Sequence, residues 1–401
     1  MDVDEDELAA HVASVTDDPA SALVLADWLQ EHQHPWGELI ALQVRQDPAF
    51  QERADALLAE HAAEVCPILA RAGVTATWKN GFVDRIQITC VPEDLYEALL
   101  DLRDTPATSR LDQIVLAPVQ ESFETWRDVD DSVERVADPW DSLARYAEEI
   151  PARVTKLGFG PWPASAAAAY THMPSFTQIS SAFPATTELA LAGFPPNGAL
   201  GMLALDHLRA LEIRFATAED HHLAAIARQS FPVLERLEVG TGGQIYATVD
   251  EVHEPSFEDD HYVYPPFSAS DLEAMVGYDH EPLSEVTAAG IASLLEGTYP
   301  KLEHLGLAHG ILDAAKLAPI LASPLLAQLR TLDLSNCALD DSCVDALVAA
   351  RTPLNRLKRL ELSGNRFSEQ GVSKLRAALS KAKLAGAPAP RFLFRYVSTV
   401  E

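Results

Sequence analysis

Two short clusters of carboxylate and imidazole, Asp259-Asp260-His261 and Asp279-His280-Glu281, are the groups in this chain that could hold a metal ion. Brought together they would offer the oxygen and nitrogen donors of a metal site. No HExxH, no HxH with a matching carboxylate and no CxxC fixes their geometry, so they read as solvated side chains of a loop. His221-His222 opens a helix and His32-Gln33-His34 closes one. Adjacent histidines on a helix point in different directions, which leaves helix capping as their expected role. The chain has no Gly-Lys-Ser/Thr phosphate loop and no G-x-S-x-G elbow. Cys66, Cys90, Cys337 and Cys343 form no CxxC pair and are expected to be buried free thiols. The expectation is a protein that is not an enzyme, with no catalytic residue, no metal and no cofactor.

The elements that must position any binding residues follow from size and pattern. At 401 residues, the chain suits two or three domains or one elongated repeat array. Its 60 acidic and 30 basic residues give a formal charge of −30, which disfavours non-specific nucleic-acid binding and anionic membranes and favours basic partners. No run of about 18 apolar residues occurs, and Met1 to Glu7 carries five carboxylates in place of a basic leader, so a cytoplasmic protein with no membrane contact is expected. The use of 22 Arg against 8 Lys suits a GC-rich bacterial genome.

The dominant signal is a repeat. Leu329-x-x-Leu332-x-Leu334-x-x-Cys337-x-Leu339 is followed 28 residues later by Leu357-x-x-Leu360-x-Leu362-x-x-Asn365-x-Phe367. The same frame starts at Val83, Leu111, Val154, Thr186, Leu208, Leu234, Leu302, Leu329 and Leu357, with an apolar residue at slots 4 and 6 every time. Alternation in a strand sends slots 4 and 6 to one face, which each unit can bury only with its neighbours. Helical segments lie between, at Pro92 to Leu100, Asp220 to Arg228, Thr287 to Leu295, Asp340 to Val348 and Ser368 to Leu379. This pattern resembles the leucine-rich-repeat family in its ribonuclease-inhibitor-like class. The resemblance implies an α/β horseshoe solenoid, with parallel strands on the concave face and helices on the convex face.

Residues 1–72 depart from the repeat and predict helices over Glu5 to Val15, Ala20 to Glu31, Trp36 to Arg45 and Phe50 to Ala63. The strings Leu25-Ala26-Asp27-Trp28-Leu29 and Gly37-Glu38-Leu39-Ile40 through Leu42-Gln43 look like the bacterial repeat-companion domain, a short module that precedes repeats. Where that module commonly carries Asp-Pro-Arg-Gly, this chain has His34-Pro35-Trp36-Gly37. Its expected role is to cap the open first edge of the array. The division is therefore 1–72 helical, 73–383 repeat solenoid with an acidic aromatic-rich insertion at about 242–286, and 384–401 a closing cap strand. Positions 237–300 hold 13 acidic residues and no Lys or Arg, and the insertion is either loosely packed or a loop that contacts a partner.

Slots 3, 5 and 7 point away from the core and would face a partner protein. The candidate contacts are Arg85, Lys156, Glu188, Arg236, His304 and Arg359 at slot 3, Glu212, Glu238, Asp333 and Glu361 at slot 5, Arg214 at slot 7, and Tyr262 and Tyr264 in the insertion. Slot 5 is small or neutral in the first half (Gln87, Val115, Gly158, Ala190) and acidic in the second. Opposite charges in adjacent slots could equally pair with one another across strands. The function expected is a scaffold or adaptor that binds a partner protein. The alternative is an inhibitor or immunity protein neutralising a basic enzyme such as a nuclease. Residues 351–395 run against the overall charge, with 11 basic and 2 acidic residues.

Overall fold

The computed structural model describes residues 4–16, 18–45, 47–90, 92–118, 139–160, 173–193, 195–196, 200–215, 218–240, 286–308, 310, 312–380 and 382–383. The acidic insertion up to residue 285, with Tyr262, Tyr264 and both Asp-His clusters, lies outside the described residues, as does the expected cap strand at 384–401.

The chain opens with four helices, α1 (Glu5–Ser14), α2 (Pro19–Glu31), α3 (Pro35–Val44) and α4 (Pro48–Val65). Their starts are set by side-chain caps. Asp4, Asp18 and Asp47 accept from first-turn backbone N–H groups, His34 accepts from Trp36 N, and proline stands at the start of α2, α3 and α4. Proline is tolerated there because the N–H it lacks would have no helical partner.

Next comes a hairpin that the repeat frame does not predict. Strands β1 (Val74–Lys79) and β2 (Phe82–Cys90) pair antiparallel across the two-residue turn Asn80-Gly81, both at positive φ (53° and 83°). Asn-Gly is the pair that such a turn favours. The turn is clamped to α3: Trp36 Nε1 donates to Gly81 O at 2.5 Å, and Gly81 N donates to Gln43 Oε1 at 2.7 Å. A Cβ at Gly81 would sit 2.2 Å from Ile40 Cγ1, so glycine is required for this approach. The first sheet edge is thus β1, and α3 holds the turn of its hairpin in place.

From β2 onward every pairing is parallel and in chain order, through β3 (Gln113–Pro118), β4 (Lys156–Phe159), β5 (Glu188–Gly193), β6 (Ala210–Phe215), β7 (Arg236–Gly240), β8 (His304–Gly306), β9 (Thr331–Asp333), β10 (Arg359–Glu361) and β11 (Ala382–Lys383). The slot-4 residues form one continuous column, Ile86, Ile114, Leu157, Leu189, Leu211, Leu237, Leu305, Leu332 and Leu360, each opposite the next. None of the nine is more than 2% exposed, and all belong to one continuous apolar core.

The return segments supply the other wall of that core. Helices α5 (Pro92–Arg103), α6 (Leu143–Glu149) and α7 (Phe176–Ala182) pack side by side. A second row runs α8 (Asp220–Ala227), α9 (Ala288–Leu295), α10 (Ala314–Ala322), α11 (Val344–Ala349) and α13 (Glu369–Ala378), with the short α12 (Arg351–Leu354) after α11. Two unit junctions in this row use the same device. Asp220 accepts from the backbone N–H and hydroxyl of Thr287 at 2.7 and 2.6 Å, and Asp341 does so from Ser368 at 2.9 and 2.5 Å. Thr287 and Ser368 are the N-caps of α9 and α13, so one unit's carboxylate orients the next unit's helix. Asn365 acts likewise at slot 9, where its buried amide accepts from Cys337 N and Leu339 N and donates to Leu334 O and Leu362 O. Of the four thiols, Cys90 is half-exposed, not buried as expected.

Candidate functional site

The face opposite the helices is built from slots 3, 5 and 7, and strand register fixes which side chains meet. The slot-5 column reads Gln87, Val115, Gly158, Ala190, Glu212, Glu238, Gly306, Asp333 and Glu361. The first four positions are uncharged. Val115 is only 2% exposed, because it packs against Gly158, where a Cβ would come within 2.9 Å of Val115 Cγ2.

In the second half, Glu212 and Glu238 are direct neighbours on β6 and β7. Arg214 lies between them, 2.7 Å from Glu212 and 3.4 Å from Glu238. Glu238 also meets Arg236 at 2.6 Å and His304 Nε2 at 2.9 Å. Glycines make the room: a Cβ at Gly306 would lie 2.8 Å from Glu238 Cγ, and one at Gly240 would lie 2.7 Å from Arg214 Cδ. Burial pushes the Glu238 carboxyl up, but His304, Arg236 and Arg214 outweigh it and hold the group at about 2. Burial raises Glu212, and the negative Glu238 adds to that rise against the pull of Arg214.

The remaining candidates are distributed as follows. Lys156 pairs with Asp112 at 2.8 Å and reaches Glu188 at 3.6 Å. Arg359 pairs with Glu361 at 2.9 Å, and Glu361 is only 4% exposed, so it is a covered partner of Arg359 and not a contact open to another molecule. Asp333 accepts from Ser335 N within its own turn. Arg85 is half-buried and makes no ion pair among the described residues. Register therefore unites Glu212, Arg214, Arg236, Glu238 and His304 into one network and ties Lys156 to Glu188.

The network has a testable pH dependence. A carboxyl held at about 2 in the folded chain, against an ordinary 4.5, adds stability that is fully present above 4.5 and is lost as pH falls toward 2. Urea unfolding midpoints of the wild type should fall across that window. Glu238→Gln should start lower and lose less between the same limits. Equal slopes in the two proteins would remove Glu238 from the account.

Elsewhere, the histidine pair keeps its expected capping role but not its expected divergence. The His221 and His222 rings are 3.8 Å apart, not splayed, and His222 Nδ1 accepts from Glu219 N to cap α8. Burial, then the neighbouring His221, pushes His222 down to about 4, which suits an acceptor nitrogen. A cleft of about 280 Å³ at the starts of β2 and β3 is lined by Lys79, Asp84, Arg110, Asp112 and Arg153 above Phe82. Most of its charges are committed: Arg110 to the Val15 and Thr16 carbonyls, Arg153 to Ser109 O and Asp112 to Lys156. Among the described residues no helix is long and apolar enough to cross a membrane.

No family model matches the chain. No curated protein matches it either. Among solved structures it is similar to a Bacteroides fragilis protein from a structural genomics consortium, with a TM-score of 0.51 and 17% identity over 85% of this chain and 83% of that one. That likeness is one of fold. A second structure, the Rad7 and Elc1 complex of yeast, aligns over 92% of each chain at 12% identity with a TM-score of 0.34, too low to establish a common fold.

Proposed function

We propose that this chain is a non-enzymatic leucine-rich-repeat solenoid of bacterial, cytoplasmic origin that holds a partner protein on the helix-free face of its sheet. The observation that supports this best is the unbroken register from β2 to β10, which presents two parallel columns of side chains, slots 3 and 5, on one face. Nine strands about 4.8 Å apart make a surface roughly 40 Å long, a span suited to a macromolecule.

Pairing on that face favours the adaptor over the inhibitor. A basic enzyme would need free carboxylates, whereas Glu212 and Glu238 are already matched by Arg214, Arg236 and His304. Breaking such pairs to bind costs about as much as the new contact returns. The uncharged half, where Gln87 and Ala190 are half-buried beside the covered Val115 and Gly158, is then the recognition surface, with Arg85 and Lys156 at its rim.

The test is capture of partners from the native cell, followed by mass spectrometry, with wild type and Ala190→Arg side by side. Ala190 is half-buried in the slot-5 column. The variant should lose at least tenfold of the captured protein, and wild-type capture should change little with salt. Capture that survives Ala190→Arg but collapses at high salt would replace the adaptor reading with the inhibitor one.

A further inference from the structure

Opposite charges occupy opposite ends of the sheet, independently of what binds its face. Residues 1–72, which form α1–α4 beside β1, contain 15 acidic and 3 basic residues. Asp6, Asp27, Glu31 and Glu52 are exposed there and make no ion pair among the described residues. The last unit reverses the sign. Arg351, Arg356, Lys358, Arg366 and Arg376 are exposed and make no ion pair among the described residues. Arg209, Arg236 and Arg330 earlier in the array each lie within hydrogen-bond reach of a carboxylate.

The strand order runs from β1 to β11 without a crossover, so the two ends are about ten strand spacings, roughly 48 Å, apart along the sheet. Screening at physiological salt acts over about 8 Å, so neither end can neutralise the other within one molecule. From this we infer that the basic last unit docks the acidic helical end of a second copy, head to tail.

Such a contact joins two different patches, so it does not close on itself as a two-fold dimer does and leaves both outer ends free to continue. The net charge of −30 repels a second copy at a distance, so the contact is short-ranged and sensitive to salt. The same repulsion opposes a nucleic acid, which would extend past the last unit over the acidic body.

Sedimentation equilibrium of the full chain tests this between about 10 mM and about 1 M salt, where the screening length drops from about 30 to about 3 Å. At low salt the weight-average mass should exceed the 43.6 kDa monomer, and at high salt it should return to it. Arg351→Glu, Lys358→Glu, Arg366→Glu and Arg376→Glu combined should give a monomer at low salt. So should Asp27→Lys, Glu31→Lys and Glu52→Lys combined, and an equimolar mixture of the two variants should associate again. A wild type that stays monomeric, association unchanged by either set, or a mixture that stays monomeric would overturn the inference. So would retention of a duplex DNA oligonucleotide by the basic unit of a monomeric wild type.

Discussion

Leu332→Ala is expected to destabilise the protein by about 2–5 kcal/mol, with the larger values favoured because the site has little freedom to collapse. Leu332 has no exposed surface and sits between Leu305 and Leu360 in the central column, so its cavity would be walled by rigid strands on both sides. The loss combines the transfer of the missing methyl groups with the void they leave. Urea unfolding gives the measurement, with an unchanged slope showing that stability and not compactness has moved. Glu188→Ala, on an exposed side chain of the opposite face, should stay within about 0.5 kcal/mol. A cost below about 1 kcal/mol at Leu332 would mean that the column is not the core.

Gly81→Ala should cost about 2–5 kcal/mol, from two separate sources. Its φ of 83° is disfavoured for a residue with a side chain by roughly 1–2 kcal/mol. Its added methyl would meet Ile40 Cγ1 at 2.2 Å and Ile40 Cα at 2.7 Å, and an overpacked contact with backbone costs about 1–3 kcal/mol more. Because Gly81 is bonded through its own N–H and carbonyl to Gln43 and Trp36, relief requires α3 and the hairpin to part. Amide hydrogen exchange should then show α3 and β1 losing protection together. Loss confined to the turn, with α3 unaffected, would show that the helices and the sheet are not mechanically joined there.

These two positions also mark how far the sequence is informative. Leu332 stands in a column whose nine members are all identifiable from spacing, because a buried parallel ladder demands an apolar residue at the same slot of every unit. The helix starts near Asp18, His34 and Asp47 are legible for a similar local reason, since cap and proline signals act within one turn. Strand β1 escapes because it stands outside the repeat and pairs in the opposite sense, although Asn80-Gly81 is a hairpin signal in its own right. Ion pairing escapes for a different reason. Glu238 and His304 are 66 positions apart and Arg214 and Glu238 are 24, so register between units decides who meets whom. Burial of Glu361 likewise depends on neighbours that composition does not name.

The strictly sequential pairing of the strands bears on how the chain is made. Each new strand from β2 onward docks on the one immediately before it in the chain, so its template has already left the ribosome when it emerges. At typical translation rates a unit of 28 residues takes about 1–6 s to synthesise, far longer than the microseconds in which hairpins form. The helical end and its clamped hairpin emerge first and offer a finished edge, so the nascent chain can add one layer at a time without waiting for its C-terminal half.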